Sequence, residues 1–243
     1  MSTVLELLPQ MIGEEERDAS SEAACRKTRV AIEGGCCAYP GVVEGQISGL
    51  VRQLFLQRQR KKPRQVLFSS VGEEGEIGSL CMMVGRALNL QDSGTTCVVE
   101  ALPCDTATEV RAIDDPVSRQ AKFGLLRDAA QQVSDRLWFM RRELLREDGA
   151  LHWSASWIRG RLAELRLDFD YTVLEGPAIG SHDEAMQLAR LCDGIVLVVR
   201  ANKTRRIVAQ EIREKLRSAN ARLLGVVMTE RTLPIPEAIY RKL

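Results

Sequence analysis

The sequence predicts an α/β protein with a doubly wound, mostly parallel sheet and helices on both faces. Three observations predict it. Short apolar runs rich in β-branched residues, such as Val66-Leu67-Phe68 and residues 194–199, alternate with segments whose apolar residues recur three and four apart. Unbroken apolar runs suit strands covered on both faces, as parallel strands are. Enough chain separates most successive strands for a helical crossover, which a parallel pair requires. At 243 residues, 45% hydrophobic and 28% charged, the chain can bury a single large core. It divides into a segment 1–42 and a domain 43–243.

Segment 1–42 mixes a short apolar patch (Val4, Leu5, Leu7, Leu8), the acids Glu14, Glu15 and Glu16, and Gly34, Gly35, Pro40 and Gly41 without a sustained period, so it is expected to be flexible. Its residues 4–12 either pack on their own domain or dock on a partner. Over 43–57, Val43, Ile47, Leu50, Val51, Leu54 and Phe55 fall three and four apart and predict an amphipathic helix. A basic linker follows: Arg58, Arg60, Lys61, Lys62 and Arg64 around Pro63. It serves either as a solvated connector or as a contact for anionic headgroups or a partner. Ile47, Leu50, Leu54, Arg58, Arg60, Lys61 and Lys62 are therefore the candidate interaction residues.

Further along, strands are expected at 66–70, 95–101, 136–140, 171–175, 194–199 and 223–228. Helices are expected at 80–88, 123–133, 183–191 and 204–219, and after Ser154, an N-cap for a helix carrying Trp157, Ile158, Leu162 and Leu165. A formal net charge of +1 gives no global pull toward nucleic acid or lipid. No apolar run reaches the roughly 18 to 20 residues that span a bilayer, so a cytoplasmic protein without a direct membrane span is expected. Seven cysteines with no C-x-x-C spacing, and only two histidines, argue against both a disulfide framework and a metal site. The vicinal Cys36 and Cys37 are the one candidate for redox chemistry.

The stretch 66–88 organises the rest: a buried strand, a tight loop from Gly72 to Gly78 and an apolar-faced helix. That is where a phosphate-binding loop would lie. Such a loop needs glycines so that backbone N–H groups wrap the phosphates, a lysine to neutralise them and a Ser or Thr hydroxyl for magnesium. No lysine occurs between Lys62 and Lys122, while Glu73, Glu74 and Glu76 crowd the loop. At an effective dielectric of about 20 and about 5 Å, each full charge contact repels an anion by roughly 3 kcal/mol. A loss of about 4 kcal/mol already weakens binding about a thousandfold. Ordinary ATP affinity is not expected; as an alternative role, Glu73, Glu74 and Glu76 pair with Arg86 as an internal ion-pair cover over the empty site.

Phe169-Asp170-Tyr171-Thr172-Val173-Leu174-Glu175-Gly176-Pro177 resembles the F-D-Y-V-I-I-D-T-P segment of bacterial tyrosine autokinases, P-loop proteins that accompany polysaccharide co-polymerases in capsule and exopolysaccharide export. Asp183-Glu184-Ala185, residues 189–201 and Lys203-Thr204-Arg205-Arg206 are similar to the same family's D-A, A-R-L-A-D-G-V-L-L-V-V-R-A and K-T-R-R. The resemblance covers roughly residues 43–230. It implies a P-loop NTPase-like fold of the deviant Walker class, ATP and magnesium as cofactors, and a membrane polysaccharide co-polymerase or related export component as partner, through which the chain would lie peripherally at the inner membrane. The helix over 43–55 resembles the family's subunit-contact helix only loosely, leaving a homo-oligomer open.

Carried over position by position, the family's site residues have changed. Against the loop P-G-E-G-K-[ST]-[ST], Glu74 and Glu76 stand at the glycines, Ile77 at the lysine and Gly78 at the first hydroxyl; a shift of one makes Ser79 the hydroxyl but puts Gly78 at the lysine. Glu100-Ala101-Leu102 stands for the D-A-D of the second nucleotide motif. Glu175 stands for the metal-associated aspartate, its carboxylate displaced by one methylene. Gly72, Glu74, Glu76, Ile77, Gly78, Ser79, Glu100 and Glu175 are thus the vestigial nucleotide-site positions, with no catalytic residue and no cofactor expected. The tyrosine-rich tail of the family is reduced to Tyr240. The expectation is a pseudokinase. Its alternatives are an active autokinase or ATPase recruiting a lysine such as Lys203, and a partitioning or positioning ATPase.

Overall fold

The computed structural model of the chain describes residues 44–56, 62–72, 77–101, 126–145 and 154–229. Seven strands form one sheet: β1 (Gln65–Ser70), β2 (Thr96–Glu100), β3 (Gln131–Ser134), β4 (Leu137–Met140), β5 (Tyr171–Glu175), β6 (Gly194–Arg200) and β7 (Leu223–Thr229), in the order β3-β4-β2-β5-β1-β6-β7. All pairings are parallel except β3 with β4. Strand β1 lies between β5 and β6, so the chain order reverses beside it. In open α/β sheets that crevice, at the carboxyl ends of the strands, is where ligands bind.

Alternation along the strands splits the core in two. Val66 and Phe68 of β1, Val173 of β5 and Val196 and Val198 of β6 face α1 (Glu44–Val51) and α2 (Gly78–Gln91). Leu67, Leu174, Ile195, Leu197 and Val199 point the other way. There they meet α4 (Ala155–Asp168), α5 (Asp183–Leu191) and α6 (Arg206–Ser218). Both faces are covered, which is why these strands read as unbroken apolar runs. Ser154 caps α4, its side chain accepting from Trp157 N at 3.2 Å.

Three expectations change. The helix expected at 123–133 is, among its described residues, a single turn, α3 (Leu126–Ala129), and the rest becomes the edge strand β3, joined to β4 by a tight hairpin at Asp135 and Arg136. The cause is pairing: the backbone of β3 satisfies the edge of β4, whose Leu137, Trp138 and Met140 are buried. The sheet therefore has seven strands where six were expected.

Second, the helix expected over 43–57 runs as α1 and then a π-helical turn, Arg52–Leu56. Third, Ile47, Leu50 and Leu54, expected to face a partner, are 3%, 4% and 4% exposed and belong to the core beneath α2. Burying their apolar area against the chain's own sheet contributes about 1.5 to 3 kcal/mol each, which leaves those side chains no free face. Of the linker, Lys62 is exposed, whereas Arg64 donates from Nε to Asp170 O at 2.9 Å and from Nη2 to Phe169 O at 2.9 Å and Arg166 O at 3.2 Å. It closes the carbonyl end of α4. Arg58, Arg60, Lys61, segment 1–42, the vicinal cysteines and Tyr240 lie outside the described residues.

Candidate functional site at the carboxyl edge of the sheet

Four strand ends converge on the crevice: Ser70 of β1, Glu100 of β2, Glu175 of β5 and Arg200 of β6. Glu100 and Glu175 are register partners on neighbouring parallel strands, and Glu175 is also the partner of Phe68, so the side chains of all three leave the sheet on the α2 face. The strands are tied together past their ends. Ala101 N donates to Glu175 O at 2.7 Å, Gly176 N to Phe68 O at 2.8 Å and Val71 N to Val198 O at 3.0 Å. The buried Ser69 hydroxyl donates to Pro177 O at 2.6 Å, anchoring the segment that follows β5.

The chain leaves β1 through Val71 and Gly72. Gly72 has φ +86°, a left-handed conformation that favours glycine and turns the chain into the loop. Glu73, Glu74 and Glu76 lie outside the described residues. Ile77, the residue before α2, is 2% exposed and packed in the core under that helix. Ser79 is half-buried in the first turn of α2. Arg86 is exposed and sits eight residues, about 12 Å, along α2 from Gly78.

Gly78 opens α2 in close contact with Glu175. A Cβ built on Gly78 would lie 2.7 Å from Glu175 Oε2, 3.0 Å from Oε1 and 3.1 Å from Cδ. Three residues on, burial first and the Glu175 charge second push the Cys81 thiol up. Burial also raises the Cys97 thiol, and lifts Cys192 to about 12. These three are free thiols with little thiolate at neutral pH. On the β6 side, Lys203 is exposed on the turn that follows Arg200, and Asn202 beside it takes a left-handed φ of 63°.

The structure places Gly72, Ile77, Gly78, Ser79, Glu100 and Glu175 at the carboxyl edge of the sheet, with Ile77 turned into the core; Glu74 and Glu76 lie outside the described residues. Sequence reasoning missed two participants: Ser69, whose hydroxyl fixes Pro177, and Cys81, which lies within the field of Glu175. A serine ending an apolar run was the only signal for the first. Among the described residues no three His, Cys, Asp or Glu side chains are grouped to hold a metal ion. Among the same residues no helix is long and apolar enough to cross a membrane.

A central β1, the strand order around it and a helix launched from the loop after β1 define an α/β protein of the P-loop NTPase-like class. Solved structures share that fold. The kinase domain of Escherichia coli tyrosine kinase ETK aligns over 87% of this chain and 85% of its own, with TM-score 0.62 at 12% identity. The chimerical protein CapA2B2 aligns over 76% and 83%, with TM-score 0.58 at 13% identity. The VpsO kinase domain aligns over 78% and 96%, with TM-score 0.54 at 18% identity. At such identities the likeness is one of fold. No protein-family model matches the chain. In sequence, the tyrosine-protein kinase CpsD of Streptococcus agalactiae is 31% identical over 62 residues, 26% of this chain and 27% of that protein. The match spans about a quarter of the curated relative's length. The chain is thus similar in sequence to a bacterial tyrosine-protein kinase over about a quarter of its length, and similar in fold to tyrosine-kinase domains.

Proposed function

We propose that the chain is a non-catalytic pseudokinase, a tyrosine-autokinase fold that has lost nucleotide chemistry and acts as a partner or regulator in exopolysaccharide or capsule synthesis and export. One observation carries this reading. In the ungapped register Ile77 stands at the place of the loop lysine, with its side chain spent on the core, 2% exposed, and in the shifted register Gly78 stands there, so neither supplies a cation. No lysine can replace it locally, since none occurs between Lys62 and Lys122.

ATP and magnesium fit these residues poorly. The γ-phosphate would lose its cation, and Glu175 and Glu100 bring negative charge to the edge where phosphates would lie. Phosphoryl transfer depends on positioning and charge neutralisation, so losing both removes the reaction. The partner would be a membrane polysaccharide co-polymerase or related export component, which the family resemblance supports, and it would hold the chain at the inner membrane.

The test is direct. For a ligand with a dissociation constant near 50 μM, about 5 mM Mg-ATP would stabilise the fold by about 2.7 kcal/mol, raising the melting temperature by roughly 5 to 10 °C. We expect no shift, no ATP hydrolysis and no autophosphorylation from the purified chain. A shift of that size that disappears in Lys203→Ala would instead establish a kinase with a recruited lysine.

A further inference from the structure

We propose that residues 4–18 of this chain dock on its own outer flank, where an arginine stripe on α6 overhangs the half-exposed last strand β7. Arg206, Arg213 and Arg217 are exposed and, seven and four residues apart, share one side of α6 over about 17 Å. Among the described residues Arg206 and Arg213 form no ion pair, and Arg217 has only Glu214, at 3.9 Å with both side chains largely in solvent. The stripe is costly as it stands. Arg213 and Arg217 are like charges one turn apart, and Arg206 opens α6 at the positive end of the helix dipole with no acid in the first turn. Acids brought from outside the helix relieve both costs.

An apolar strip accompanies the stripe. Lys215, two positions from both Arg213 and Arg217 and so on the other side of α6, lines a cleft shared with Met186 of α5. Helix α5 packs on β1 and β6, and α6 on β7, the last strand of the sheet, so the arginine side looks outward past β7. There Leu223, Val226 and Met228 are only partly buried against the core on the α6 face. The strand at the opposite margin, β3, is four residues long and mostly polar, as exposed sheet margins tend to be, whereas β7 runs seven residues with no charge and no proline. The flank therefore fits a segment that offers apolar side chains and then acids. Residues 4–18 do so in that order: the apolar residues of 4–12, then Glu14, Glu15, Glu16 and Asp18. The 25 residues 19–43 can extend to about 80 Å, roughly twice the width of a domain of this size, so the flank is within reach from Glu44. A segment joined to its own target acts at an effective concentration on the order of millimolar, which favours it over a free acidic partner.

The experiment is hydrogen–deuterium exchange by mass spectrometry on the full chain, followed in peptides covering residues 4–18 and β7. In the wild type, amides within 4–18 should exchange about ten-fold more slowly than in a free chain. The protection should be the same at two protein concentrations that differ about twenty-fold, because the contact is within one molecule. Arg206→Glu/Arg213→Glu/Arg217→Glu should release 4–18 to the free-chain rate, and adding Glu14→Arg/Glu15→Arg/Glu16→Arg should restore the protection. If reversal disturbs folding, seen as lost protection in β1 and β5, Arg206→Gln/Arg213→Gln/Arg217→Gln replaces it and should still remove most of the effect. Free-chain exchange of 4–18 in the wild type overturns the proposal. So does protection that survives the loss of the arginines, which would put the segment elsewhere, or protection that grows with concentration, which would put it on a second copy. Failure of the swapped charges to recover protection overturns it too.

Discussion

The two edges of this sheet each carry an acid at a strand end, and they hold it in opposite ways. At the amino edge, Asp193 precedes β6 and accepts from Arg64 N at 2.8 Å, Gln65 N at 2.9 Å and Arg166 Nη2 at 2.7 Å. Arg166 Nε also reaches Gln65 Oε1 at 2.8 Å, and Gln65 Nε2 reaches Leu162 O at 2.8 Å, so the network ties β1, α4 and β6 together. At the carboxyl edge, Glu175 rests against the start of α2, and its charge adds to burial in raising the Cys81 thiol. One acid is fixed by three donors, two at the start of β1 and one from α4, and serves the fold. The other stands at the carboxyl ends of the strands, where this class of fold places its ligands.

The strongest way to break that contrast is to remove Asp193. Asp193→Ala leaves the Arg166 guanidinium and two backbone amides without their acceptor and should cost about 3 kcal/mol, read as a lower urea midpoint at unchanged slope. Acid should reproduce part of the loss. Burial alone would raise the Asp193 carboxyl, but Arg166 and the Gln65 and Arg64 amides outweigh it and hold the group below the ordinary aspartate range. A lowered pKa in the folded state gives stability that is complete above the unfolded value of about 4 and is lost as the pH falls through the folded value. The wild type should therefore lose stability below about pH 4 more steeply than Asp193→Asn. Equal slopes would mean that the amino-edge network contributes little.

At the other edge, Ile77→Ala should cost about 2 to 3 kcal/mol, because a side chain 2% exposed leaves a cavity when truncated. A negligible loss would mean that residue 77 faces the crevice, and the lysine's place would then be open. Arg64→Ala should cost about 1 to 2 kcal/mol through its three bonds to the carbonyls that end α4, with no effect on any ligand response at the carboxyl edge.

What the sequence made legible follows the same division. Strands covered on both faces announce themselves by composition, and β5 and α5 fall at Tyr171–Glu175 and Asp183–Leu191, the limits expected from the residues alone. The edge strand β3 did not, because Gln131, Gln132 and Ser134 are exposed and carry no apolar period; pairing with β4 makes them a strand. Spacing marked Ile47, Leu50 and Leu54 as one face of a helix, yet it could not say whether a partner or the chain's own sheet covers that face. Likewise the missing lysine could be read from the sequence, but the approach of Glu175 to Gly78 could not. That contact joins distant parts of the chain and exists only because β5 lies next to β1.

The smallest expected effects come from the same chemical change at two helical glycines, one beside Glu175 and one facing open space. Gly160 is exposed inside α4, and a Cβ there meets nothing within 4 Å. Gly160→Ala should stabilise the protein by about 0.5 to 1 kcal/mol, through helix propensity and a less disordered unfolded chain. Gly78 is also helical and gains the same propensity term, but its Cβ would lie 2.7 Å from Glu175 Oε2, so the carboxylate must swing away from the start of α2. Gly78→Ala should therefore gain nothing or lose up to about 1 kcal/mol. Adding Glu175→Ala to Gly78→Ala should restore the gain seen at Gly160, since the obstructing group is gone. If chemical denaturation finds Gly78→Ala as stabilising as Gly160→Ala in the presence of Glu175, the carboxylate is not held against the helix, and the two edges of the sheet do not differ in the way described.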